Sequence, residues 1–230
     1  MKLMGLQKLT LLDYPETIAC TVFVGGCNLR CPFCHNSGLL DGDETPDALD
    51  PEAFLAFLRR RRGVLDGVCI SGGEPLLHPE TAELARAVKA LGYLVKLDTN
   101  GCFPDRLEQW IEEGLADYVA MDLKNAPRKY AQTAGLARLD LKPIERSVAL
   151  LLSGRVGYEF RTTVVRQLHT AEDFSDIGAW IQGAERYYLQ SFVDSDAVLR
   201  PGLTACPPQE LRKFCDLVRP FVQFVAVRGI

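Results

Sequence analysis

The sequence predicts an α/β protein: a partial (β/α)6 barrel with an open lateral face, in which helices cover a parallel sheet. Short apolar, β-rich runs alternate with helix-like segments along the chain, which is the pattern of βαβ units. Near-continuous apolar runs such as 118–121 fit strands buried on both faces of a sheet. Six such units are too few for a closed eight-stranded barrel, so we expect an open one.

The predicted elements alternate in order along the chain. The strand-like runs are 20–24, 68–70, 94–97, 118–121, 159–165 and 187–190. The helix-like segments are 51–61, 79–91, 104–113, 141–152, 171–181 and 207–218. Several helices begin with proline, as at Pro51 after the capping residue Asp50. A last apolar run, 221–227, is a candidate edge strand, and 38–50 is predicted to be a surface loop.

Composition favours one globular domain over residues 1–230. Hydrophobic residues make up 47% of the 230 residues and charged residues 24%, an ordinary balance for a chain that buries its own core. The net charge of −4 gives no basic field for nucleic acid or an anionic membrane. The basic run 59–62 falls at a predicted helix end, where cations complement the helix dipole; a patch for an acidic partner is the alternative.

The sequence shows no export or membrane-spanning segment. The apolar run 18–24 is short, and Asp13 and Glu16 precede it, whereas a secretory signal has a basic start and a longer apolar stretch. We therefore expect a cytoplasmic protein whose eight cysteines stay reduced unless a metal or catalysis uses them.

Polar and glycine-rich clusters follow the predicted strands where each strand ends. These clusters are 25–36, 71–75, 98–101, 122–125 and 190–192. The carboxyl ends of parallel strands meet at one edge of the sheet, and α/β proteins build their sites there. Convergence of five clusters on one rim predicts a single functional site.

The first cluster carries Cys27, Cys31 and Cys34 on one short loop. Thiolates hold iron–sulfur clusters, and a cubane normally takes four of them. Three thiolates leave one iron open, and an open metal position is where a substrate can coordinate. The spacing therefore predicts an iron–sulfur cluster with an accessible iron.

Other interpretations of these cysteines remain open at this point. The run 31–35 matches C-x-x-C-H, the c-type haem attachment motif, which requires an exported chain. A redox C-x-x-C pair leaves Cys27 without a role. Structural zinc with His35 as fourth ligand is possible, although zinc sites usually pair ligands from two separated knuckles. Three buried, unreactive cysteines are the last alternative.

The run 25–36 reads Gly-Gly-Cys-Asn-Leu-Arg-Cys-Pro-Phe-Cys-His-Asn and resembles the signature of the radical S-adenosylmethionine superfamily. Phe33 before the third cysteine, and His35 with Asn36 after it, are similar to the subgroup that activates glycyl radical enzymes. The segment 5–15 resembles the short activating proteins of anaerobic ribonucleoside-triphosphate reductases. The resemblance runs over nearly the whole chain.

This resemblance implies one 4Fe-4S cluster, S-adenosylmethionine and radical chemistry. A reduced flavodoxin or ferredoxin would supply an electron, and the 5′-deoxyadenosyl radical would take hydrogen from a backbone glycine of a partner enzyme. The cofactors carry such chemistry, so no protein acid, base or nucleophile is implied. A radical enzyme acting on a small molecule, and a non-catalytic zinc or redox binding module, are the alternatives.

The resemblance also assigns cofactor contacts. Gly72, Gly73 and Glu74 match the stretch that holds the aminopropyl part of S-adenosylmethionine, although a plain strand-to-helix turn is the alternative. Asp98, Thr99 and Asn100 would lie along the ribose and methionine side, although Asn100-Gly101 also suits a simple turn. Asp122 and Lys124 match an Asp-x-Lys pattern, with a surface ion pair as the alternative for Lys124. Asp98 and Asp122 would help to hold a monovalent cation, since hard cations prefer oxygen ligands.

The remaining candidates lie on later strands and on the cysteine loop. Arg161 within a strand needs an anion, either the cofactor carboxylate or a rim acid. The further expected contacts with the cofactor are Phe33, His35, Gln190 and Phe192. Cys20 and Cys69 are predicted to be buried small hydrophobes, and Cys206 and Cys215 are too scattered for a second cluster. His78 and His169 have no ligand spacing.

Overall fold

The computed structural model describes residues 1–41 and 48–230. They form an eight-stranded sheet whose spatial order is the chain order. The strands are β1 Leu3–Thr10, β2 Ala19–Val24, β3 Gly67–Gly72, β4 Leu94–Thr99, β5 Tyr118–Asp122, β6 Gly157–Val164, β7 Arg186–Ser191 and β8 Phe224–Arg228. The helices are α1 Pro51–Arg60, α2 Thr81–Ala90, α3 Pro104–Glu112, α4 Tyr130–Thr133, α5 Lys142–Leu152, α6 Ala171–Trp180 and α7 Pro208–Val218.

The predicted α/β fold is confirmed, including the edge strand near the end of the chain. Strands β2 to β8 run parallel, with each strand beside its successor. Because β1 and β8 each pair with one neighbour, the sheet is open rather than closed. The predicted loop 38–50 is described only at its two ends, since 42–47 lie outside the described residues.

Strand β1 was not predicted from the sequence. It pairs antiparallel with β2, and its register shifts at Leu3/Gly5 and at Gln7/Thr10. Its run LMGLQKLT is mostly half-buried or exposed, so it lacks a clear two-residue alternation. Pairing with β2, rather than local pattern, makes this segment a strand.

The helices cover the outer face of the sheet with their apolar sides. Phe54 and Leu58 of α1 are fully buried, and Asp50 caps this helix by accepting a hydrogen bond from the Ala53 N–H at 3.0 Å. Phe174 of α6 stacks on Phe214 of α7 with ring centroids 4.4 Å apart. Across the ranges described above, no helix is long and apolar enough to span a bilayer.

An ion pair between Arg228 and Glu159 links strand β8 to strand β6. Arg228 donates to both carboxylate oxygens of Glu159 at 2.7 and 2.9 Å, and the Glu159 side chain is 1% exposed. The Arg228 guanidinium also lies 3.3 Å from the ring centroid of Tyr188. A bidentate pair of this kind orients two strands that do not touch directly.

We expect Arg228→Met to lower the free energy of unfolding by about 3 kcal/mol, because it leaves the buried Glu159 carboxylate without its cation. Arg219→Met is the matched control, since Arg219 pairs with Asp216 at 3.0 Å and both side chains are about two-thirds exposed. Its loss is expected to stay within about 0.5 kcal/mol. Denaturant unfolding of both variants measures the difference, and equal losses would contradict the structural role of Arg228.

Candidate functional site

The loop 25–36, called the cysteine loop below, leaves β2 and is held by backbone hydrogen bonds to four other segments. These bonds run from Gly25 N to Lys2 O at 3.1 Å, Gly26 N to Leu39 O at 2.7 Å, Cys27 N to Leu40 O at 3.0 Å, Glu74 N to Gly26 O at 2.8 Å and Arg30 N to Ala134 O at 3.0 Å. The Asn28 side chain also accepts from Asn100 at 2.8 Å. The loop is therefore fixed by the fold before any ligand binds.

The three cysteines of this loop line one cavity of about 230 Å³. Cys31 is buried and Cys27 and Cys34 are half-buried. Burial raises the pKa of the Cys27 thiol, and it raises that of Cys31 to about 11 although the Lys124 charge acts in the opposite direction. Binding of a metal would therefore have to displace protons from these thiols.

The placement of the thiols bears on the kind of metal they could hold. Within residues 1–41 and 48–230, no three His, Cys, Asp or Glu side chains converge closely enough for a single metal ion. A tetrahedral zinc ion would need all its ligands within about 2.3 Å of one point. An iron–sulfur cubane instead takes each thiolate on a different iron. Either kind of site would draw on the three thiols that face this cavity.

His35 lies at the edge of this cavity and has a hydrogen-bond partner there. Its Nε2 lies 2.6 Å from the backbone oxygen of Val193, and its ring lies 5.3 Å from that of Phe192. The segment after β7 crosses the cysteine loop here, and the Leu199 and Arg200 N–H groups donate to loop carbonyls at 3.3 and 2.9 Å. His35 thus joins two segments at the cavity edge.

The other predicted site residues converge on the same cavity from successive strand ends. Those in its lining are Phe33, His35, Gly72, Gly73, Asp98, Thr99, Asn100, Asp122, Lys124, Arg161 and Gln190. The predicted residues outside the lining are Glu74 and Phe192. Phe192 is 1% exposed and packs behind His35, so it supports the wall rather than facing a ligand.

Glu74 lies behind the cavity, where it joins the ends of β3 and β4. The side chain is 0% exposed. Its carboxylate accepts hydrogen bonds from the Asn100 N–H at 2.7 Å, the Thr99 hydroxyl at 2.8 Å and the Leu76 N–H at 3.0 Å. The carboxylate thus orients the neighbouring rim segments that donate to it, and the contact between Glu74 and the aminopropyl group stays a prediction.

Glu74 also gives the fold a pH dependence. Burial raises its pKa to about 7, although the Asn100, Thr99 and Leu76 donors act in the opposite direction. The folded chain therefore holds this proton more tightly than the unfolded chain. The contribution of Glu74 to stability falls as pH rises from its ordinary pKa near 4.5 to about 7.

We expect Glu74→Gln to remove this pH-dependent loss of stability. Relative to the variant, the wild type should lose about 2.5 kcal/mol of unfolding free energy between pH 5 and pH 8, at about 1.4 kcal/mol per pKa unit. Burial lowers the pKa of His169 and gives an opposite trend that both proteins share. Urea unfolding at the two pH values measures the difference, and parallel pH curves would contradict the prediction.

Two carboxylates and two cations alternate across the cavity floor. Arg161 on β6 donates through Nε to Asp122 at 2.9 Å and through an amino group to Asp98 at 3.5 Å. Lys124 donates to the other Asp122 oxygen at 3.2 Å. Asp122 and Arg161 are direct register partners of β5 and β6, which explains why the pair forms.

These charges hold both carboxyls ionised. Burial acts to raise the pKa of Asp122, but the charges of Arg161 and Lys124 outweigh it and lower the pKa to about 2. Burial likewise opposes ionisation of Asp98, and Arg161 and Lys96 outweigh it, so its pKa is also lowered. The predicted cation ligands Asp98 and Asp122 thus have cationic side chains of the protein as partners. The sequence alternative of a rim acid for Arg161 is the one that the structure supports.

Lys96 is a site residue that the sequence analysis missed. It is 1% exposed and pairs with Asp98, two residues along β4 on the same face. A lysine between apolar strand residues is the signal that could have identified it, because lysine is rarely buried without a charged partner. Ser71, Asn36 and Thr163 also line the cavity, and Ser71 donates to Asp98 at 3.1 Å.

The remaining cysteines and histidines have other surroundings. Cys206 and Cys215 are buried and are absent from the cavity lining. His78 Nε2 lies 2.8 Å from the Gly25 carbonyl, so it supports the start of the cysteine loop. His169 is buried and bonds the backbone of Lys124 and Val165.

The chain is similar in sequence to several known proteins. The model of the Radical SAM superfamily matches residues 21–177. A Methanocaldococcus jannaschii protein described as "Putative glycyl-radical enzyme activating enzyme MJ1227" is 32% identical over 235 residues, covering 98% of this chain and 95% of that protein. The pyruvate formate-lyase-activating enzyme of Clostridium pasteurianum is 33% identical over 129 residues, 53% of this chain and 51% of the relative.

A solved structure shares the fold. Streptococcus suis SuiB, in its complex with S-adenosylmethionine, aligns with a TM-score of 0.68 at 15% identity. The alignment covers 91% of this chain and 52% of SuiB, so the chain spans about half of SuiB. At this identity the likeness concerns the fold alone.

Proposed function

This chain belongs to the radical SAM superfamily, and from that membership we propose that it activates a glycyl radical enzyme. Cys27, Cys31 and Cys34 would hold one 4Fe-4S cluster, and the adjoining cavity would take S-adenosylmethionine. The observation that carries this proposal is the convergence of three thiols and five strand ends on one cavity. A relative matched over 98% of the chain bears the name of such an activating enzyme.

When bound, the cluster and S-adenosylmethionine supply the chemistry: one-electron cleavage of the sulfonium gives methionine and a radical that removes a hydrogen atom from the substrate. The residues of this chain place the reactants. Gly72 and Gly73 leave backbone accessible beside the cysteine loop. Phe33, 4% exposed, closes the cavity with an apolar ring, which limits the entry of water.

The carboxylate of S-adenosylmethionine has a cationic partner in Lys124. The Lys124 ammonium carries three N–H donors, and its bond to Asp122 at 3.2 Å uses one of them. Its side chain is 15% exposed, so the remaining donors can face a ligand. Arg161 already serves two carboxylates and would act mainly by holding Asp98 and Asp122 in place.

The open face of the sheet supports a polypeptide substrate. Because β1 and β8 are not paired with each other, a loop of a partner protein has a lateral route to the cavity. The segment 5–15 that resembles ribonucleotide reductase activating proteins begins in β1, and Leu11 and Leu12 within it are 68% and 87% exposed. We therefore propose an anaerobic ribonucleotide reductase as the partner, with reduced flavodoxin or ferredoxin as electron donor.

Anaerobic reconstitution with iron and sulfide tests the first half of the proposal. We expect about four irons per chain, a paramagnetic signal on reduction that changes when S-adenosylmethionine is added, and 5′-deoxyadenosine as product. A zinc or redox binding module would form no cluster and no 5′-deoxyadenosine.

Coexpression with the glycyl radical enzyme encoded nearby tests the second half. We expect a glycyl radical signal in that enzyme by electron paramagnetic resonance. If 5′-deoxyadenosine forms but the partner acquires no radical, the chain acts on a different substrate, and the small-molecule alternative becomes the one to pursue.

A further inference from the structure

The surroundings of Asp98 leave little need for a metal cation. Lys96 precedes it by two residues on β4, so both side chains project from the same face of the sheet. The Lys96 ammonium contacts one carboxylate oxygen of Asp98 directly. The other oxygen accepts from the Ser71 hydroxyl at 3.1 Å and faces Arg161 at 3.5 Å. Both oxygens of Asp98 therefore have donors from the protein.

Asp122 is satisfied in the same way. One oxygen accepts from Arg161 Nε at 2.9 Å and the other from Lys124 at 3.2 Å. Three protein cations thus serve two carboxylates. A sodium or potassium ion placed between these carboxylates would lie close to three positive charges in a poorly hydrated setting, where like-charge repulsion is strong.

Burial of the Lys96 ammonium costs free energy unless a charged partner offsets it. Its side chain is 1% exposed, and its neighbour across the strands is Cys69, whose sulfur lies 3.9 Å from the ammonium. Burying an ammonium requires a charged partner, and the carboxylate that meets this need is Asp98, which lines the cavity. The lysine is therefore built into the site rather than the outer surface.

We propose that the Lys96 ammonium replaces the monovalent cation that the family resemblance suggested, so that this chain binds S-adenosylmethionine without sodium or potassium. The residues present do not fit an additional cation between Asp98 and Asp122. Lys96 is a positioning residue: it holds Asp98 charged and oriented beside the cavity. This inference rests on the proposed cofactor site but not on the identity of the partner enzyme.

The test measures the affinity of the reconstituted protein for S-adenosylmethionine in sodium, potassium or tetramethylammonium chloride at equal ionic strength. For the wild type we expect dissociation constants that agree within about twofold. Thallous ion, a spectroscopic probe for potassium sites, should show no saturable binding by ²⁰⁵Tl resonance. A saturable thallium signal, or a wild-type affinity that requires potassium, would overturn the proposal.

Two substitutions separate the charge of Lys96 from its volume. Lys96→Ala opens the space of the ammonium, so its affinity should fall about tenfold in tetramethylammonium and recover in potassium or sodium. Lys96→Met removes the charge but fills the space, so the loss should persist in every salt. An affinity of Lys96→Ala that equals the wild type in tetramethylammonium would overturn the proposal.

Lys89→Ala is the matched control. Lys89 pairs with Asp117 at 2.6 and 2.8 Å, and neither residue lines the cavity. The affinity of the Lys89→Ala variant for S-adenosylmethionine should therefore not depend on the salt. If Lys96→Ala does not fold, the wild-type thallium titration decides the question. These readouts concern binding alone, so failure of radical transfer to a partner protein is distinguished from failure of this inference.

Discussion

Replacing any one of Cys27, Cys31 or Cys34 by alanine is expected to abolish the cluster and the production of 5′-deoxyadenosine. The three thiols are the cysteine sulfurs that share the cavity lining. With one removed, two thiolates remain, which is too few for a cubane that normally takes four. We expect cleavage of S-adenosylmethionine to fall by at least about a thousandfold, or roughly 4 kcal/mol of transition-state stabilisation.

Iron and sulfide analysis, with paramagnetic resonance of the reduced protein, measures this loss directly. Cys206→Ala and Cys215→Ala are the matched controls, because both thiols are buried outside the cavity lining. Each control should cost about 1 kcal/mol of stability from lost packing but keep its cluster. Loss of the cluster in Cys215→Ala would mean that the ligand set has been misassigned.

Gly73→Ala is expected to have the second large effect, because there is no room for a side chain between β3 and the cysteine loop. A Cβ at Gly73 would lie 2.0 Å from the Gly26 carbonyl oxygen, 2.6 Å from its carbon and 3.3 Å from the Cys27 Cβ. The nearest of these atoms are backbone, which does not rotate away as a flexible side chain would. The cysteine loop would have to shift, and Cys27 would move with it.

We expect Gly73→Ala to lose about 3 kcal/mol of unfolding free energy and to reduce cleavage of S-adenosylmethionine by about a hundredfold, since a displacement near 1 Å at a reacting centre has an effect of that order. Circular dichroism and 5′-deoxyadenosine assays on the same samples separate folding from activity. Gly38→Ala is the control, because nothing lies within 4 Å of the Cβ it would add. Equal behaviour of the two variants would show that the loop tolerates the shift.

The predictions from sequence succeeded where local pattern carries the information. Apolar runs bounded by turn residues identified strands β2 to β7, and each predicted helix is present within a few residues of its expected ends. The spacing of Cys27, Cys31 and Cys34, together with the glycine-rich turn at Gly72, pointed to strand ends that line the cavity. These signals are readable because chain neighbours within a few residues produce them.

Long-range pairing decided the remaining features. Strand β1 forms by pairing with the edge of β2, because its own residues show no clear alternation of buried and exposed side chains. The Glu74 carboxylate accepts hydrogen bonds from Asn100 and Thr99, at the end of the next strand. Such partners are about 25 residues away in the chain, so no local pattern identifies them.

The charged residues at the cavity floor show most clearly which features the sequence predicts and which depend on the tertiary structure. Residue types and spacing were enough to place Asp98 and Asp122 at strand ends on one rim and Arg161 within a strand. The pairing of Arg161 depends on strand register, which places Asp122 opposite it, whereas Lys96 and Asp98 lie two residues apart on β4. Because electrostatic energies depend on separations of a few ångströms in a poorly hydrated interior, the choice of Asp98 and Asp122 as the partners of Arg161 followed from the tertiary structure.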